Sequence, residues 1–182
     1  GDTAPGRTPR PRRCTVGGCT LATTPVRTSP HPGQPGSAPN PTVENLVDNA
    51  LDTIVLTGDP AVVRGLLAEL THRGDHTLWE AAVLLLGLLA TRPVYGLGEH
   101  QGVECLRQLA RTADPVTSLV LSVQAVHRAE GAAAAREAWQ QAPVAPRGPA
   151  LAQLLISVAC TIGTGDGRLD PQRTVRLIRA SR

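Results

Sequence analysis

The side chains with the widest chemical repertoire in this chain are its cysteines and histidines, and their spacing sets what each could do. Cys14 and Cys19 form a C-x4-C pair inside RTPRPRRCTVGGC, the spacing of half a metal site or of a small redox loop. His31 is the nearest further ligand. With no second Cys or His pair close by, the ligand set stays incomplete, and an inert or occasionally oxidised pair is expected. His72 and His76 are four residues apart, which brings two imidazoles together only on a continuous helix, and Gly74 and Asp75 between them break one. Cys105 and Cys160 sit in apolar-periodic segments and read as small hydrophobes of a core. No metal and no cofactor is expected.

The arrangements that carry catalysis are missing as motifs. There is no G-x-S-x-G, no G-x-x-x-x-G-K-[ST] and no H-E-x-x-H, and Asp166-Gly-Arg-Leu-Asp170 lacks the acidic ladder of a calcium loop. Five histidines and 15 carboxylates do not converge at any spacing that pairs a nucleophile with a base. The chain therefore reads as non-enzymatic.

Charge is the next chemistry to place. All 18 basic residues are arginine, and the net charge is +3. Residues 1–41 carry five Arg against Asp2 and residues 168–182 five Arg against Asp170, so two basic ends flank an acidic middle. Arg10, Arg12 and Arg13 in the first stretch, and Arg173, Arg176 and Arg179 at helical-face spacing in the last, are the candidate contacts to nucleic acid or to another acidic partner. No aromatic residues are interleaved with them for base stacking. In the middle, Glu44, Asp48 and Asp52 recur at i, i+4 and i+8, a candidate surface for a partner's basic segment whose plainer reading is a solvated helix face.

These groups need elements to hold them. Residues 1–41 contain nine Pro and six Gly and almost no large apolar side chain, so they cannot bury enough surface to offset the entropy of ordering, and a disordered basic arm is expected there. From residue 42 onward an all-α domain is expected, either a multi-helix bundle or a short solenoid-like array of helical repeats. Asn40, Pro41 and Thr42 offer a helix entry, after which Val43, Leu46, Val47, Ala50, Leu51, Ile54 and Val55 fall on one helical face. Asp59-Pro60, Asp114-Pro115 and Asp170-Pro171 each read as a cap followed by proline in a first turn. Further helices are expected over residues 99–112, from Pro115 through Val126, over 132–142, and through Leu151 to Ile162 after a linker marked by Pro143, Pro146 and Pro149.

The most apolar stretch, Thr77 to Arg92, is read as the central helix. Thr77 and Glu80 have capping-box spacing, and Pro93 stops the run. Its uninterrupted apolar part, Ala81 to Ala90, is about half of the roughly 20 residues that a bilayer requires, so neighbouring helices rather than lipid should cover it. No apolar run of a secretory signal opens the sequence, and a cytoplasmic protein without membrane partners is expected.

Two resemblances bear on these elements. T-L-W-E-A-A with V-Y-G-L, within Thr77 to Leu97, resembles the helix-turn-helix of excisionase-like and MerR-like regulators, but Pro93 falls where the recognition helix would run. Leu119 to Ala142, with Ala135, Trp139 and Ala142, resembles one tetratricopeptide hairpin, with Val123 where a small residue is expected. An offset of 55 residues also aligns nine identities, among them Asp59-Pro60 with Asp114-Pro115, His72-Arg73 with His127-Arg128 and Cys105 with Cys160, against about four or five from composition. The expected function is an interaction or regulatory module that binds a protein partner through a helical surface. The alternative is a nucleic-acid-associated protein that uses its Arg-rich ends.

Overall fold

The computed structural model describes residues 40–164 of the chain. Among them are seven helices and no strand: α1 (Val43–Thr57), α2 (Pro60–Arg73), α3 (Asp75–Ala90), α4 (Glu99–Thr112), α5 (Pro115–Glu130), α6 (Ala132–Gln141) and α7 (Arg147–Thr164). The helix expected after Asp170-Pro171 and the arm over residues 1–39 lie outside the described residues.

Local chemistry explains most of the boundaries. Asp59 accepts a hydrogen bond from the Ala61 amide, Asp114 accepts from the Val116 and Thr117 amides, and in both helices the proline that follows has no N–H to leave unpaired. At the first helix the cap is Thr42, whose hydroxyl accepts from the Asn45 amide, and not Asn40. The third helix departs further from expectation. It begins at Asp75, and Thr77 lies inside its first turn, where its hydroxyl donates to the carbonyl oxygens of Leu70 and Gly74 instead of capping. Gly74 makes this possible. At φ 116° and ψ 162° it occupies backbone space that only glycine visits freely, so α2 stops and α3 starts within one residue. The same break keeps His72 and His76 on different helices. Pro149, read as part of a linker, falls in the first turn of α7, where a missing N–H is harmless.

Among the described helices the central one is α7, not α3. Ala150, Leu151, Ala152, Leu154, Leu155, Ile156, Val158 and Ala159 are all buried, on all but the side that carries Gln153, Ser157 and Thr161, and α1, α2, α3 and α5 pack around them. Alanines at three of those positions let the neighbouring backbones come close. On α3, burial is confined to Thr77, Leu78, Ala81, Ala82, Leu85 and Leu86, while Leu88 is 44% exposed. A leucine run is necessary for a fully buried helix but does not ensure one, because the surrounding helices cover only part of α3. The aromatic contribution comes from Trp79 of α3 and Trp139 of α6, whose ring centroids lie 6.1 Å apart at a tilt of 53°.

The 55-residue offset is not repeated in the packing. It pairs α4 with α7, yet α4 buries a single stripe, Gly102, Val103, Leu106 and Ala110, chiefly against α5, with Val103, Leu106 and Ala125 forming a cluster separate from the main core. Cys105 and Cys160 are both half-buried, and only Cys160 packs against the main core.

If α7 rather than α3 is the hub, core truncations should differ sharply between them. Leu154→Ala is expected to cost about 2–5 kcal/mol, and Leu88→Ala no more than about 0.5 kcal/mol. Urea denaturation followed by circular dichroism measures both.

Candidate functional site

The loop between α3 and α4, together with α4, α5 and the second half of α7, encloses an open cleft of about 900 Å³. That is within the range of natural binding sites. Its apolar walls are Leu89 and Val94 on one side, Leu106 and Leu109 of α4, Val120 and Leu121 of α5, and Ile156 of α7. Thr117, Gln124, Gln153, Ser157, Cys160 and Thr161 add polar atoms, and the only charged groups among the described lining residues are Arg92 and Arg128.

Gln153, Ser157 and Thr161 stand at i, i+4 and i+8, so the polar stripe of α7 is the strip of that helix that faces the cleft. The hydroxyls here mostly donate within their own elements, while Thr117 also lies 3.4 Å from the Gln153 side chain across the cleft. Ser157 donates to the Gln153 carbonyl at 2.8 Å, Thr161 to the Ser157 carbonyl at 2.8 Å, and Thr117 to Asp114 Oδ2 at 2.8 Å. The surface these residues present is consequently less polar than its composition implies.

One wall is held in place by two close contacts. Arg128, in the last turn of α5, donates through Nη2 to the carbonyls of Leu89 and Arg92, the latter at 2.7 Å, and so adds to the Arg92 amide bond that Leu89 already accepts and pins the chain where it leaves α3. Burial lowers the Arg128 pKa, with Glu99 opposing part of the shift, and a guanidinium remains charged in either case. Gly102 of α4 then lets the loop close, since a Cβ there would sit 2.9 Å from the Val94 Cβ. Between Val94 and Leu97 the chain reverses in a turn closed by a 2.8 Å hydrogen bond from the Leu97 amide to the Val94 carbonyl. Both central residues, Tyr95 at φ 49° and Gly96 at φ 72°, are left-handed. For tyrosine that conformation is unfavourable, and it leaves the ring 74% exposed at the rim of the cleft.

Tyr95 has company there. Among the described residues seven large apolar side chains are exposed, and four of them, Leu88, Tyr95, Leu109 and Ile162, border this cleft or a smaller adjoining groove of about 100 Å³ that shares Leu89, Arg92 and Thr161 with it. Isolated exposed apolar residues need no explanation, whereas a gathered set marks a contact surface.

The residues singled out from the sequence are elsewhere. Glu44, Asp48 and Asp52 are exposed along α1, none of them lines the cleft, and Leu56 extends their row at 68% exposure. Arg10, Arg12, Arg13, Arg173, Arg176 and Arg179 lie outside the described residues, as do Cys14, Cys19 and His31. Among the described residues no group of His, Cys, Asp and Glu could hold a metal ion, and no helix is long and apolar enough to cross a membrane. The stretch compared with a helix-turn-helix has an eight-residue loop, Thr91 to Gly98, between α3 and α4 in place of a tight turn. The polar stripe of α7 was readable from spacing. Arg128 was not, because its partners lie 36 and 39 residues away.

No protein-family model, curated protein or solved structure matches this chain. The site therefore has to be read from its own geometry.

Replacing Tyr95 by asparagine, which tolerates the left-handed region, should raise stability by about 0.5–1 kcal/mol, read as an increased midpoint in urea. A second expectation concerns pH. Burial, and then the neighbouring Arg128 charge, push the His127 pKa below its ordinary 6.5. The unfolded chain accordingly binds its proton at a higher pH than the folded one, so the His127 contribution is complete above about pH 6.5 and is lost as pH falls through the folded pKa. The melting temperature should drop between pH 7.5 and 5 in the wild type, and less in His127→Gln.

Proposed function

We propose that this chain is a non-enzymatic interaction module that binds a protein partner through a helical surface, and that the contact surface is the cleft bordered by the α3–α4 loop, α4, α5 and α7. The observation that carries this reading is the gathering of Leu88, Tyr95, Leu109 and Ile162, each 41–74% exposed, around this cleft and the groove that adjoins it. A strained tyrosine held outward at its edge supports the same reading, since unfavourable backbone conformations cluster at ligand contacts. The α1 carboxylates Glu44, Asp48 and Asp52 are a secondary contact in this scheme, reached by charge and not by burial. The cysteine usage of the sequence goes with a cytoplasmic setting, in which Cys105 and Cys160 stay reduced.

Selection of binders from a displayed random-peptide library against the full-length chain tests the proposal. Selected peptides should lose at least about tenfold in affinity to Leu109→Asp, since a charge placed in an apolar contact is desolvated without a partner. They should bind the triple variant Glu44→Gln, Asp48→Asn, Asp52→Asn within about twofold of wild type, as exposed charges contribute little. Circular dichroism of Leu109→Asp controls for unfolding. Failure to select any peptide, or peptides indifferent to Leu109→Asp, would overturn the reading. The alternative, association with nucleic acid through the Arg-rich ends, would gain from salt-sensitive retention of DNA or RNA that survives Leu109→Asp.

A further inference from the structure

We propose that the cleft receives one face of an amphipathic helix of the partner, and that this helix presents an acidic side chain to Arg92 and Arg128. The inference rests on the docking reading above and specifies the chemistry of what docks.

The argument begins with backbone hydrogen bonds. An extended segment laid in an apolar groove leaves its own N–H and C=O groups unpaired unless the groove answers them. Here the walls are helices whose backbone groups are already paired and the short α3–α4 loop, there is no strand edge among the described residues, and the hydroxyls of Thr117, Ser157 and Thr161 already donate to Asp114, Gln153 and Ser157. A segment that satisfies its backbone internally avoids this cost, and a helix is such a segment. The shape agrees. The cleft and the adjoining groove share Leu89, Arg92 and Thr161 as walls, so exposed apolar side chains lie on both sides of those residues, Leu109 on one and Leu88 and Ile162 on the other.

Charge supplies the polarity of the partner. The described lining residues hold two guanidinium groups and no carboxylate. Arg128 is already engaged with the α3 carbonyls, whereas the exposed Arg92 has no ion pair among the described residues. Arg92 is thus placed to meet an incoming carboxylate, with the Arg128 charge, partly offset by Glu99, behind it, and a basic helix in the same groove would meet the like charge of Arg92 first.

Two synthetic hydrocarbon-stapled helical peptides test this against the full-length chain. They share one leucine stripe at i, i+3, i+4 and i+7, flanked by glutamates in one and lysines in the other, and fluorescence anisotropy reads their affinities at low and moderate salt. The glutamate peptide should bind at least about tenfold more tightly at low salt. The gap should narrow with salt, and Arg92→Glu should abolish or invert it. Equal affinities, or a preference untouched by Arg92→Glu, would overturn the inference. If both peptides bind equally and lose affinity to Leu109→Asp, docking in the cleft survives and the acidic helix does not. If neither binds while library selection yields extended, proline-containing binders, again only the helix is overturned. If neither binds and selection is empty, both readings fall.

Discussion

A helix that ends leaves carbonyl oxygens facing nothing, and this fold answers them with guanidinium groups from other elements. Arg128 reaches from the end of α5 to the end of α3. Arg147, at the start of α7, donates to the carbonyls of Gln140 and Ala142 at the end of α6 and pairs with Asp75 of α3 at 2.6 Å. Arg73 closes the entry to α1 through the Pro41 carbonyl while pairing with Glu69. Each contact ties one helix end to a neighbour, which fixes the relative position of helices as well as completing their hydrogen bonds. Arginine suits the task because one Nη2 bridges two carbonyls while the other Nη of the same planar group stays available, as Nη1 of Arg147 does for Asp75. An arginine-only sequence suits this use, whatever first produced the bias.

Much of the fold was legible for local reasons. The residues that end helices here are Gly, Pro and Asp, and the chain places them at nearly every boundary, so α4 could be read as residues 99–112 and α2 as starting after Asp59. What was not legible depended on neighbours. Thr77 and Glu80 carry the letters of a capping box, but the glycine before Asp75 lets the helix restart sooner and turns Thr77 inward to two carbonyls. The leucines of α3 promised the centre of the molecule, and among the described helices that place belongs to α7, whose alanines admit four other helices. Propensity and periodicity describe one helix at a time, and burial is a property of how several meet.

The cleft shows the same division more sharply. Leu151, Leu154, Leu155 and Val158 mark an amphipathic helix in the sequence, but nothing in that pattern says that Gln153, Ser157 and Thr161 on its other side face a depression. Arg92, Arg128 and Gly102 carried no local signal. Their role arises where the end of α3, the end of α5 and the middle of α4 converge, between residues far apart in sequence. The acidic row on α1 was visible for the opposite reason: a pattern within one helix is easy to see and says little about what meets it.

The two tryptophans are packed against one another between α3 and α6, and the one tyrosine of the chain stands at the mouth of the cleft. The ultraviolet spectrum is therefore divided by location. Indole absorption and emission follow whether the helices are assembled, and the phenol follows what touches the rim, so the molecule carries separate optical records of its integrity and of its occupancy.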